Sequence, residues 1–299
     1  MPADVGWRGG QQPVRRALCA VAVATCAALL QGCSTVKLAY NQLSNLAYWQ
    51  LDSHLDLTDA QTERVRAGLV DLHQWHRGTM LPRHAELLRN VQGQLPSDVT
   101  AVQACATYRE VRVQFDSITA QAEPHLAWLA AQVTDAQIRN LQRKQARSNA
   151  DWRKDWLDVT PEKLREHRFK QLLSRAESFY GPLGAAQESA LRAYLDTSSF
   201  DPHRTYADRL RRQKDLVQVL QKIAAERGNV DRARTLLRGY ISRLDTPPEA
   251  DLLAYKQTLV EEGCAGFARV HNAMTPAQRL KSVQSVKGYA QDFLVLAAQ

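Results

Sequence analysis

Apolar residues recur along most of this chain at steps of three and four, as in Val65, Leu69, Leu72, His76 and Met80. That spacing lines one face of an α-helix. No Val/Ile/Thr-rich alternating set reads as strands, and Gly and Pro number only 14 and 11 in 299 residues. Helix starts are marked by Thr58-Asp-Ala-Gln61, Thr134-Asp-Ala-Gln137, Thr246-Pro-Pro-Glu249 and Thr275-Pro-Ala-Gln278. Each fits a capping box, in which the Thr oxygen accepts the N3 backbone N–H and the N3 side chain reaches back to the N-cap N–H. Thr160-Pro and Asp201-Pro202 are further starts with Pro at N1. Stops fall at Gly181-Pro182, at Gly228-Asn229 and before Pro247-Pro248. The pattern predicts helices over 36–53, 58–94 with a kink near Gly78 and Pro82, 98–132 with another near Pro124, 134–157, 160–180, 184–197, 202–227, 230–244, 248–272 and 275–298. The expected fold is all-α, an irregular bundle of about nine or ten helices with no sheet.

The first residues read as an address. Arg8, Arg15 and Arg16 precede a 14-residue apolar run, Ala17 to Leu30, and then Gln31-Gly32-Cys33. A positive start, a short apolar core and a small residue before a cut are the pattern of a secretory signal peptide. The run falls short of the roughly 20 residues a spanning helix needs. Leu30-Gln31-Gly32-Cys33 resembles the bacterial lipobox, which implies cleavage after residue 32 and acylation of Cys33. The organisation expected is therefore 1–32 signal peptide and 33–299 lipid-anchored helical domain. Ser34 stands where lipobox proteins kept in the inner membrane carry Asp, so the resemblance implies the periplasmic face of the outer membrane.

Export changes the meaning of the remaining composition. Cys19 and Cys26 leave with the leader, and Cys105 and Cys264 remain as an even pair in an oxidising compartment. A disulfide between them is expected; the alternative is two buried free thiols. The chain carries +8, and the three Arg and one Asp before Cys33 account for two of those charges, leaving +6. Beyond the cytosol such an excess suits anionic lipid or an acidic partner, and no nucleic acid is expected. A solvated basic surface is the plainer account. Arg204, Arg209, Arg211, Arg212 and Lys214 form the densest patch, diluted by Asp208 and Asp215.

A faint internal repeat is visible. Leu57-Thr-Asp-Ala-Gln61, Val133-Thr-Asp-Ala-Gln137 and Met274-Thr-Pro-Ala-Gln278 share a pattern at uneven spacings of 76 and 141 residues, which recurrent capping alone could produce. Two resemblances attach to these residues. Cys33-Ser34, Leu38-Ala-Tyr40-Asn41, Tyr48-Trp49 and Leu57-Thr-Asp-Ala-Gln61 together resemble an uncharacterised family of proteobacterial helical lipoproteins, a domain of unknown function. Leu-Thr-x-x-Gln at helix starts is similar to the periplasmic Spy/CpxP-type chaperones, which implies binding of partly unfolded clients on a helical surface. Only Leu57–Gln61 carries that motif in full; Val133 and Met274 replace the Leu elsewhere.

No phosphate loop, nucleophile elbow, His-Glu-x-x-His helix or Cys-x-x-Cys pair is present. No catalytic residue, metal or cofactor is assigned. The nearest approach to a metal set is His73 and His76, with Asp71 and His84 nearby and Asp52-x-His54-x-Asp56 upstream. Two His supply only half a structural zinc site. Trp152 and Trp156, at i and i+4 with Arg153 and Lys154, are the candidate surface for a client or a membrane, against the plainer account of helix packing. The function expected is a membrane-anchored, non-catalytic helical binding or chaperone-like module whose partners are the membrane and an envelope protein or unfolded client. The alternative is an assembly factor bridging the outer membrane to another envelope component.

Overall fold

The computed structural model describes residues 35–226 and 228–299. The leader (1–32) and the acylation site Cys33 lie outside the described residues. The described residues form helices and no strand, the all-α architecture that the periodicity predicts. They run α1 (Thr35–Asn41), α2 (Leu43–Leu55), α3 (Asp59–Trp75), a π-turn (His76–Met80), α4 (Leu81–Gln94), α5 (Ala101–Ala131), α6 (Asp135–Trp156), α7 (Pro161–Tyr180), α8 (Ala185–Asp196), α9 (Pro202–Ala225), α10 (Val230–Asp245), α11 (Ala250–Asn272) and α12 (Pro276–Ala297). The chain divides at Gln42 into two units: of the first only α1 and Gln42 are described, and the second runs from Leu43 to Gln299.

The caps follow the sequence with two corrections, the first being that the helix expected from 98 starts at Ala101, where Thr100 closes a capping box on Gln103. Thr58, Thr134 and Thr275 close capping boxes on Gln61, Gln137 and Gln278, Thr160 caps α7 and Asp201 caps α9. Gly181, at φ 79°, ends α7 in a conformation that costs a glycine little. Thr246-Pro-Pro-Glu249 is not a capping box, because α11 starts at Ala250 with Glu249 as N-cap. Each Pro disfavours the α-region for the residue before it, so Thr246 and Pro247 cannot begin a helix. The kink expected near Gly78 and Pro82 is the π-turn. Pro82 has no N–H to donate one turn back, and the register slips there by a residue.

The helix starts also explain the repeat. In the first pair, Gln61 Nε2 donates to the Gln132 carbonyl (3.0 Å) and Gln137 Nε2 donates to the Asp56 carbonyl (3.2 Å). Each acceptor lies two residues before the other helix's N-cap. Gln137 Nε2 also reaches Gln61 Oε1 at 2.6 Å. The second pair repeats this geometry: Gln187 Nε2 donates to the Ala273 carbonyl (2.8 Å) and Gln278 Nε2 to the Pro182 carbonyl (2.9 Å). Leu183-Gly-Ala-Ala-Gln187 is thus a further clasped copy of the motif, hidden because Gly184 stands where the others have Thr, while Val99-Thr-Ala-Val-Gln103 carries the motif as the capping box of α5. The packing agrees with a duplication: α2 on α3, α3 on α5 and α2 on α6 in one half; α7 on α8, α8 on α11 and α7 on α12 in the other. Each half carries an insert that packs on the opposite half, α4 on α12, and α9–α10 on α5 and α6.

Two cores result. Tyr48, Leu55, Ile138, Leu220, Ile223 and Leu237 belong to one, joining α2, α3, α6, α9 and α10 around the C-terminal part of α5. Phe169, Tyr180, Leu191, Leu195, Val270 and Met274 form the other. Helix α5, about 46 Å long at 1.5 Å per residue, has 31 residues and contacts both α10 and α11.

Candidate functional site

The α4–α5 corner is gripped by the α11–α12 corner. Asn272 pairs with the Val99 backbone in both directions, at 2.9 and 3.1 Å. Fully buried His271 receives the Tyr180 hydroxyl at Nδ1 (2.9 Å) and donates from Nε2 to the Ser97 carbonyl (2.9 Å). With both nitrogens used this way the ring is neutral, and burial pushes its pKa down. Cys105 and Cys264 are joined in a disulfide, with Cα atoms 5.3 Å apart.

Beside this bridge lies an apolar groove of about 430 Å³, walled by Leu95, Val99, Ala104, Tyr108, Leu259 and Phe267. A second hollow of about 370 Å³ lies across α11, between Phe179, Leu191, Tyr194 and Val270. Gly263 and Phe267 line both. The run Gly263-Cys264-Ala265-Gly266 makes this possible: Gly266 lets Tyr194 lie directly on the helix, while a Cβ at Gly263 would meet nothing within 4 Å. Phe267 stays 41 % exposed between the hollows. The linings are mostly apolar; among the described residues no Asp, Glu, His or Lys lines either hollow, and the polar side chains there are Gln94, Thr107 and Tyr108 in the first and Arg175, Tyr180 and Tyr194 in the second.

Trp152 and Trp156 are half-buried. They stack on one another at 5.8 Å, Trp152 lies on Tyr206 at 5.2 Å, and Trp156 meets His167 and Phe200 edge-on. The rings therefore join α6 to α7 and α9, while Arg153 and Lys154 point outward and Arg153 pairs with Asp158. The basic patch on α9 is largely drawn into packing. Arg211 and Arg212 meet Asp208, Arg209 meets Asn149, and Arg204 lies over the Tyr255 ring; Lys214 remains exposed.

His76 Nε2 stands 3.4 Å from His84 Nε2, and His84 Nδ1 contacts Gln114. Burial, then the neighbouring His84 and His73, push His76 down to about 4. Asp71 is exposed, Asp52 accepts from the Leu57 N–H, and His54 bonds the Gln50 carbonyl, so the upstream acidic-histidine stretch shapes the α2–α3 turn. Among the described residues no three His, Cys, Asp or Glu side chains converge on a point that could hold a metal, and no helix is long and apolar enough to cross a membrane.

Sequence reasoning missed the groove. Its one sequence signal is the small-residue run in α11, since exposed and buried apolar positions share the same helical spacing.

Fold and site together define an all-helical protein whose two interlocked halves share one clasped helix-start geometry and one set of helix pairings, with a disulfide beside an apolar groove. The sequence profile of the family of unknown function DUF6279 matches residues 53–241, and the chain belongs to that family. The match opens within α2 and closes within α10, so Leu57–Gln61 lies inside it, and the lipobox, Leu38–Asn41 and Tyr48-Trp49 lie outside. No curated protein and no solved structure matches the chain.

Proposed function

We propose that this protein is a lipid-anchored envelope protein that acts without catalysis, receiving an apolar segment of a partly folded envelope protein in the groove beside α11. The observation that carries the reading is the wall chemistry: two hollows meeting at Gly263 and an exposed Phe267, with no acid or imidazole among their linings. An apolar strip of this kind on a monomer marks a place where something apolar binds. The rigid grip on the α4–α5 corner supports it, because a preformed groove avoids the ordering cost of binding. The Thr-x-x-Gln motifs contribute rigidity rather than a client surface, since their side chains are occupied in the clasps. The leader, Cys33 and Ser34 support the periplasmic face of the outer membrane as the place of action.

The test uses residues 33–299 with Cys33→Ser and a β-barrel membrane protein diluted from urea. The wild-type groove should suppress its aggregation at about equimolar amounts. Gly263→Leu, which adds bulk where space is open, should remove that effect at an unchanged melting temperature; Phe267→Asp, which puts a charge in place of a part-exposed ring stacked on His271, should remove it as well. Full suppression by both variants would sink the groove reading. Crosslinking in cells that returns one defined partner, with no suppression of aggregation, would favour the bridging factor instead. Separately, Cys33→Ser in cells should abolish acyl labelling and release the protein from membranes.

A further inference from the structure

Helix α2 is apolar on two opposite sides. Tyr48, Leu51 and Leu55 turn into the first core. At 100° per residue, Leu43, Leu46 and Trp49 are centred about 170° away from that face, and they are 45, 48 and 59 % exposed. A helix apolar all round belongs in a core or in lipid, and among the described residues from Leu43 onward the packing on this one lies on the Tyr48 side. The outer stripe is also short. Gln50, Ser53 and His54 occupy the same side in the following turns, so the apolar part is confined to the end nearer the N-terminus. Leu43 lies ten positions after Cys33, a span of at most about 35 Å if fully extended and shorter with α1 helical.

We infer that Leu43, Leu46 and Trp49 lie in the polar–apolar boundary of the bilayer that holds the chain, giving the anchored protein a second, side-chain contact with lipid. The inference rests on the lipid-anchored reading for its setting. Tethering at Cys33 keeps the stripe within reach of lipid at all times, and Trp favours this boundary because its ring is apolar and its N–H polar. Between Leu43 and Leu55 there is no Lys or Arg, so the contact is apolar and owes nothing to anionic headgroups. That separates it from recruitment through the net charge of +6 carried from Cys33 onward, the full chain's +8 less three Arg and one Asp.

The acylated protein, reconstituted in zwitterionic vesicles containing lipids brominated high on the acyl chain, should lose emission that is missing from Trp49→Phe. That difference isolates one indole from the others. The unacylated Cys33→Ser chain (33–299) should bind the same vesicles weakly and without dependence on salt, and Leu43→Ser with Leu46→Ser should weaken that binding about tenfold. Both positions are exposed, and an unchanged melting temperature shows that the fold survives. Unquenched Trp49 in the acylated protein overturns the inference while leaving the anchor standing, as would binding that disappears in high salt. Absence of acylation at Cys33 is measured independently and strikes the anchored reading instead.

Discussion

At the scale of single residues, two glycines one turn apart in α11 make opposite predictions. A Cβ on Gly266 would run into the Tyr194 ring, so Gly266→Ala should cost about 1–3 kcal/mol through overpacking. Gly263 faces open space, and Gly263→Ala should gain about 0.5–1 kcal/mol from backbone entropy. Urea midpoints of the two variants check both signs. His76 sets a pH dependence. Its pKa falls from 6.5 to about 4 on folding, so below pH 6.5 the unfolded chain takes up a proton that the folded chain refuses. Stability contributed by the neutral ring is present above pH 6.5 and drains away as the pH falls toward 4. His271, also pushed down, acts in the same direction. Melting temperatures between pH 7.5 and 4.5 should fall, and His76→Gln should flatten the curve. None of this was legible in the sequence, where Gly263 and Gly266 look alike and His76 is one apolar-stripe position among several.

At the scale of elements, the reading from sequence went much further. Helix starts at Thr58, Thr134, Thr160, Asp201 and Thr275 were legible because a cap is a local arrangement, completed within three or four residues. The Cys105–Cys264 pairing was legible once the leader and lipobox readings had set Cys19, Cys26 and Cys33 aside and left an even pair in an oxidising compartment. What a cap does with its remaining donor was not, because the partner carbonyl lies 71 or more residues away. The clasp predicts coupling between distant glutamines. Gln137→Ala should cost about 1–3 kcal/mol, since it strips bonds from buried polar groups. A cycle with Gln61→Ala should show an interaction energy of at least about 0.5 kcal/mol. The disulfide closes a separation of 159 residues, worth up to about 5 kcal/mol on the chain-entropy model. Cys105→Ala with Cys264→Ala should lower the urea midpoint, and adding reductant to that variant should change nothing further.

At the scale of the whole described unit from Leu43 onward, neither half is self-contained. Each lends its insert to the other: α4 lies on α12, with Leu81, Ala85, Val286 and Ala290 among the buried residues of that pair, and α9–α10 lie on α5 and α6. Only faint traces of this showed in the sequence, because the repeat is carried by five-residue helix starts and one copy has lost its Thr. The interlocking has a practical consequence for anyone cutting the gene. The stretch 53–241, which the family profile matches, stops before α11 and α12. An expressed 53–241 fragment would keep Gln61 and Gln137, yet lose most of α2 with Tyr48, Leu51 and Asp52, leave α4 without the helix it lies on and leave Cys105 without its bonding partner. Such a fragment should bind hydrophobic dyes and melt over a broad range, whereas 43–299 should melt sharply. What recurs between relatives and what can stand alone in water are, for this chain, two different lengths of polypeptide.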